Sequence, residues 1–241
     1  MWGAFMNKLF IKMLCVFLSF ILLFTVLIFI SKNNMFLKVN SILDKSERFT
    51  VIVDAGHGGE DGGAVALDGS VEKDFNLDIA LKLENILKLY GYKVIMTRTT
   101  DTMTCDKNLK NQRQKKISDI KNRLTLTEKH NNSVLISIHQ NKFSDNSQKG
   151  AQVFYSPNNF KSKELAELIQ SSVVKNLQPD NYRKTKKCGT EIFLLYHSEI
   201  PSVLVECGFL SNQNELNLLK DNDYRNKIAI LIADGILNFT I

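Results

Sequence analysis

Only four histidines occur in the 241 residues (His57, His130, His139 and His197), and two of them stand directly after short apolar runs. His57 follows TVIVDAG, His139 closes VLISI, and Glu206 closes SVLV in the same manner. In open α/β sheets, ligands and catalytic groups gather outside the carboxyl ends of strands, where loops converge. Three separate segments therefore direct a metal-compatible or acid–base group to one rim. Two imidazoles and one carboxylate with an open fourth position are the composition of a hydrolytic zinc site. Zinc in such a site polarises a carbonyl and acidifies a water, and a further carboxylate can move the proton to a leaving nitrogen. No HExxH occurs, which excludes the helix-borne form of that site. Glu72 has two readings at this point: a first-turn carboxylate favoured by a helix dipole, or a third ligand beside His57.

Five of the eight residues from Gly56 to Gly63 are glycine, yet the segment fits no nucleotide motif. A dinucleotide fingerprint starting at Gly56 and Gly58 needs glycine where Asp61 stands, and no GxxxxGK[ST] is present. Glu60, Asp61, Asp68 and Glu72 would also repel phosphate. The glycines instead indicate a tight backbone around His57, with positive φ and close approach. The four cysteines (Cys15, Cys105, Cys188, Cys207) are too scattered for a disulfide framework, and no CxxC pair exists. Cys207 raises a rival chemistry, a cysteine hydrolase paired with His139 or His57. Strand alternation turns it away from Glu206, and no basic neighbour in sequence lowers its pKa, so a buried structural thiol is expected.

These groups need a scaffold, and the apolar patterning supplies one. Strands are expected at Thr50–Asp54, Lys93–Thr97, Val134–His139, Ala151–Tyr155 and Val203–Glu206. Helical spacing marks Phe75–Leu89, Ile117–Lys129, Ser162–Leu177 and Asp221–Phe239. This alternation predicts an α/β fold: a single domain with a mostly parallel twisted sheet and helices on both faces. Apolar residues at 44% and only 15 Gly plus Pro exclude a disordered, collagen-like or polytopic membrane chain.

Met13 to Ile30 run without a charge or a proline, behind Lys8 and Lys12. No Ala or Gly occurs between residues 5 and 54, which leaves little for a signal peptidase. Residues 1–31 are therefore expected to be a transmembrane helix, an anchor or uncleaved signal; 32–49 a stalk; and 50–241 the catalytic domain. The net charge of +6 is concentrated at the front, since residues 1–50 hold six Lys/Arg against two acids. The remainder is nearly neutral, so attraction to polyanions must be local. Residues 105–130 contain eight Lys/Arg and three acids, and Arg183, Lys184, Lys186 and Lys187 form a second cluster. A solvated face is the default for such runs, with contact to anionic wall polymer, a membrane surface or an accessory protein at 102–130 or 183–187 as the alternatives. Without interleaved aromatics, nucleic acid is not expected as a partner.

The segments VIVDAGHGGEDGGAV, VEKDFNLDIALKL, KVIMTRTTD, VLISIHQN and IPSVLVECGFLSNQNE follow one another in the order of a known family. In them the chain resembles the zinc-dependent N-acetylmuramoyl-L-alanine amidases, the amidase-3 family, over essentially residues 50–240. QKKISDIKNRL, with the anchored layout, is similar to the germination-specific members that act on the spore cortex. The resemblance implies one zinc per chain on His57, Glu72 and His139, with Glu206 as the catalytic carboxylate. It also implies cleavage of peptidoglycan between the muramic lactyl group and L-alanine, by a domain held outside the cytoplasm on its membrane tether. Thr102–Lys116 departs from the family pattern, being longer and more basic. Arg98 and Asp101 of the TRxxD pattern are expected to form a structural pair, and Asn141 to contact substrate or orient its loop. A binding module that recognises muropeptide without cutting it remains the other alternative, which the presence of Glu206 disfavours.

Overall fold

The computed structural model describes residues 12–14, 16–31, 49–130 and 132–240. Residues 1–11 of the expected anchor and 32–48 of the expected stalk lie outside them. The chain divides into two compact units, Met1–Asp44 and Lys45–Ile241. The described part of the first is helix α1 (Lys12–Ser31), 20 residues with a mean hydropathy of 3.1. At about 1.5 Å per residue it is roughly 30 Å long, enough to cross a hydrocarbon core. A secretory signal passes the same test of length and composition.

The second unit runs β1 (Thr50–Ala55), α2 (Glu72–Leu89), β2 (Lys93–Met96), α3 (Gln112–Glu128), β3 (Ser133–Asn141) and β4 (Gln152–Tyr155). It continues α4 (Lys161–Asn176), β5 (Lys186–Lys187), α5 (Phe193–His197), β6 (Ser202–Phe209), α6 (Gln213–Lys220) and α7 (Asn222–Leu237). The six strands form one sheet in the order β2-β1-β3-β6-β4-β5. Every pairing is parallel except β4 with β6, which is antiparallel. The α/β expectation of a mostly parallel sheet holds, with β4 and β5 running opposite to the other four strands.

Alternation along the strands sorts the core into two layers. Val51, Val53, Ala55, Ile136, Ile138, Val203 and Val205 face α2, α4 and α7, where Ile79, Leu83, Leu165, Ile169, Ile232 and Ile236 meet them. Ile52, Leu135 and Leu204 face the other way, toward Ile120 and Leu124 of α3 and Leu194 and Leu195 of α5. Each fully buried Leu or Ile stabilises the fold by about 1.5–3 kcal/mol relative to exposure. Phe49, at the end of the expected stalk, belongs to the core: its ring lies 5.3 Å from Tyr92 and 6.2 Å from Phe239.

Three elements escape the hydropathy pattern. β5 is two exposed lysines, and α5 is a single apolar turn too short to show a period. α6 carries a readable start, since Asn212 accepts hydrogen bonds from the amides of Asn214 and Glu215. α3 begins at Gln112 rather than Ile117, because Asn111 caps it by accepting from the amides of Arg113 and Gln114. Much of the basic stretch is thus the first turns of a helix.

A buried polar network lies between α3 and the sheet. Arg123 pairs with Asp54 and Asp119 and donates to the carbonyls of Ala55 and His57. Asp54 also accepts from Ser137 and Thr97. Burial alone would raise the Asp54 pKa, but Arg123 and Ser137 outweigh it and hold the carboxyl at about 2. Because that value is depressed, the stabilisation is complete above the unfolded carboxyl's ordinary range, near ~3.9, and is lost as pH falls through about 2. Arg123→Met strands a buried carboxylate, and urea unfolding should show a loss of about 3–5 kcal/mol at pH 7. The loss should shrink as pH falls through the range in which Asp54 takes up a proton.

Candidate metal centre and catalytic carboxylate

The three expected ligands come from three segments. His57 sits just past β1 with φ at +61°, a left-handed backbone that is strained for a residue other than glycine. Two guanidiniums hold it there: Arg98 donates to the carbonyls of Ala55 and Gly56, and Arg123 donates to that of His57. A reciprocal pair of backbone hydrogen bonds between Gly58 and Asp61 closes the turn beyond. His139 lies near the end of β3, where the register with β6 shifts between His139 and Asn141. Glu72 is the first residue of α2, one turn ahead of the expected start at Phe75.

Glu72 is the hub, with only 5% of its side chain exposed. Its Oε1 lies 2.9 Å from His139 Nδ1 and its Oε2 lies 3.3 Å from His57 Nε2. The same carboxylate accepts from the amides of Ala64 and Gln140 and from the side chain of Asn76. Burial opposes its ionisation, but hydrogen bonds from His139 and His57 outweigh burial and hold it far below the usual carboxylate range. Burial likewise disfavours a charged His57, but Asp61 and Glu72 push its pKa up to about 9. One ligand atom from each of His57, Glu72 and His139 lies within 4.8 Å of the other two.

Small residues make this convergence sterically available. A Cβ on Gly56 would lie 2.3 Å from His139 Nε2 and 2.4 Å from its Cε1, and one on Gly63 (φ +68°) would lie 2.5 Å from Glu72 Oε2 and 2.6 Å from His57 Cδ2. The glycines of the loop thus serve contact with the two imidazoles, as the sequence reading expects. Two imidazoles and a carboxylate around one small space are hard-to-borderline donors suited to zinc.

Glu206 stands beside His139 in the β3–β6 register, so both side chains leave the same face of the sheet. Its Oε2 is sealed from solvent and has no hydrogen-bond partner among the described residues. Burial, joined by the negative charge of Glu72, pushes Glu206 up to about 7 against the pull of the two imidazoles. A carboxyl poised near neutrality beside a cation site has the properties of a general acid–base group. Asn141 lies on the same rim, its carbonyl accepting from the Leu210 amide.

Other expected residues fall elsewhere. Cys207 points into the core, fully buried, and burial pushes its thiol far up, which removes it as a nucleophile. His197, to which the sequence gives no firm role, is an exposed residue at the end of α5, and its Nδ1 donates to the Phe193 carbonyl. Arg98 and Asp101 do not pair with each other by hydrogen bond. Arg98 binds carbonyls of the His57 loop, whereas Asp101 accepts from the Gly59 amide and from Lys73. Both brace the same loop separately, because its backbone offers both carbonyls and an amide. Asn76, Asp61 and Arg123 are site residues that single-residue motif reading passes over. Asn76 had a signal, lying four residues after Glu72 on one helix face.

With the site described, its relatives become informative. The Amidase_3 family, N-acetylmuramoyl-L-alanine amidase, matches residues 51–238. The chain belongs to this family. It is therefore an enzyme, a hydrolase of the muramoyl–L-alanine amide of peptidoglycan, and its substrate lies outside the cytoplasm. The germination-specific N-acetylmuramoyl-L-alanine amidase of Bacillus subtilis (strain 168) is 35% identical over 226 residues, covering 92% of this chain and 93% of that protein. The CwlD amidase from Clostridioides difficile, solved in complex with the GerS lipoprotein, superposes with a TM-score of 0.75 at 43% identity, covering 78% of this chain and 96% of that one. AmiC2 of Nostoc punctiforme gives 0.66 at 30% identity, covering 79% and 96%.

Glu206 offers a stability test independent of turnover. Its folded pKa near 7 exceeds the ordinary value of about 4.3, so folding favours the protonated form. The resulting destabilisation is absent below the unfolded pKa and grows as pH rises through about 7. In metal-free protein, Glu206→Gln should therefore raise stability at pH 8 by on the order of 1–3 kcal/mol and leave it nearly unchanged at pH 4. Calorimetric melting across that range checks it.

Proposed function

We infer that the chain cuts the amide between the lactyl group of N-acetylmuramic acid and L-alanine using one zinc ion held by His57, Glu72 and His139, with Glu206 as the catalytic carboxylate. The observation that carries this reading is the partnerless Glu206 Oε2 beside a cluster of three donors. Zinc bound there would polarise the scissile carbonyl and lower the pKa of a water. Glu206 takes a proton at its free oxygen and returns it to the leaving nitrogen, the role open to a buried carboxyl with an unpartnered oxygen beside the three donors. Glu72 orients the His139 ring through Nδ1, and its own carboxylate is fixed by Asn76 and two amides. Asn141, two residues past His139 at the rim, is positioned to meet the substrate.

The apolar helix α1 supports residues 1–31 as a membrane anchor or uncleaved signal, with 32–49 as a stalk and 50–241 as the catalytic domain displayed outside the cytoplasm. The name of the Bacillus subtilis relative supports a role in spore-cortex maturation needed for germination. The Clostridioides difficile amidase, solved with a lipoprotein, supports an accessory protein for this chain, and the basic stretches 102–130 or 183–187 are the surfaces proposed for it. Within the first stretch, Lys115, Lys116 and Arg123 are already paired inside the chain, which leaves exposed Lys107, Lys110, Arg113, Lys121 and Lys129 for such a partner.

Incubated with peptidoglycan, the protein should release peptides that begin with a free L-alanine amine, detected by mass. A chelator should abolish release and zinc should restore it, while thiol alkylation should have no effect. Glu206→Gln should lower kcat by about 10²–10⁴-fold while zinc content stays at one per chain. Release that survives chelation would contradict the reading.

A further inference from the structure

The basic start of α3 is directed at the metal loop. Gln112, Lys115 and Lys116 share one face at the start of α3. Gln112 donates to the Glu60 carbonyl, Lys115 pairs with Glu60 at 2.6 Å, and Lys116 pairs with Asp61 at 2.7 Å. The Glu60 side chain is 59% exposed, so its pair contributes little. Asp61 is different, with 14% of its side chain exposed and both oxygens engaged. Its Oδ1 meets Lys116 and the Gly63 amide, and its Oδ2 lies 2.9 Å from His57 Nδ1.

That last contact decides which nitrogen of His57 carries the proton. Once the ring is neutral, as a ligand must be, Nδ1 keeps the proton it donates to Asp61 and the lone pair is on Nε2, the nitrogen that faces Glu72. A ligating histidine usually donates its other N–H to a carboxylate or carbonyl, which fixes both ring orientation and tautomer. Toward the other end of the same helix, Arg123 holds the His57 carbonyl. α3 therefore grips His57 twice: by its backbone through Arg123, and by its ring through Lys116 and Asp61.

We propose that Asp61 is a positioning residue for His57 and that Lys116 locks it in place, so that the basic start of α3 is an outer layer of the zinc site. This rests on the reading of His57, Glu72 and His139 as zinc ligands. Lys116 acts by fixing the carboxylate that aims the ring, and its half-exposed ammonium is too well screened to act mainly by repelling the metal.

The test uses full-length protein, with zinc affinity measured by competition against a coloured chelator and with the visible spectrum of the cobalt-substituted form. Asp61→Asn should weaken zinc binding by about 10–100-fold and alter the cobalt spectrum. Lys116→Met should weaken binding in the same direction by less, and Lys116→Arg should restore it. Metal-free melting temperatures of the Lys116 variants should match the parent, which separates positioning from folding. Parental affinity in both Asp61→Asn and Lys116→Met, or tighter binding in Lys116→Met, would overturn the proposal. His139→Ala is the control: if it binds zinc as the parent does, the ligand assignment itself fails, whereas its loss beside unaffected Asp61→Asn refutes only the positioning role.

Discussion

A single buried carboxylate, Glu72, sits between two imidazoles, and the surrounding structure is arranged to keep it there. A carboxylate this deep is costly unless hydrogen-bonded and balanced by positive charge. Ala64, Gln140 and Asn76 supply the hydrogen bonds, His57 and His139 lie against its two oxygens, and His57 adds positive charge, its pKa raised by Asp61 and Glu72. A divalent cation between the same donors would take over that balance, since metal binding displaces the proton that His57 holds. A cluster assembled before the ion arrives loses less conformational freedom when it binds.

That arrangement constrains the loop, the sheet and α3 together. His57 reaches Glu72 from a left-handed backbone, and the guanidiniums of Arg98 and Arg123 hold the carbonyls around that strained residue. The parallel register of β3 with β6 brings Glu206 beside His139, close enough for Glu72 to raise its pKa but without a partner for Oε2. The two carboxylates thus acquire different characters from their surroundings, one firmly ionised and one near neutrality. Separation of this kind is what assigns ligand and acid–base roles to chemically identical groups.

Much of this was legible in the residues. His57, His139 and Glu206 each end an apolar run, and the strand-end rule brings all three to one rim, where the structure has them. Glu72 was ambiguous from spacing because its distance from His139 depends on how the Gly56–Gly69 segment folds back, and only the family resemblance separated the readings. Side chains that bind backbone carbonyls were invisible: Arg98 and Arg123 lie 41 and 66 residues after His57, and no periodicity marks such a contact. The edge strand β5 was equally hidden, since two lysines paired at the rim of a sheet resemble any solvated loop.

The most direct measurement is an anomalous difference map at the zinc absorption edge from crystals of the zinc-loaded protein. One peak should appear, bounded by a nitrogen of His57, an oxygen of Glu72 and a nitrogen of His139, at about 2.0–2.2 Å from each. A peak bounded by other side chains, or none between those three while the protein remains active, would contradict the account.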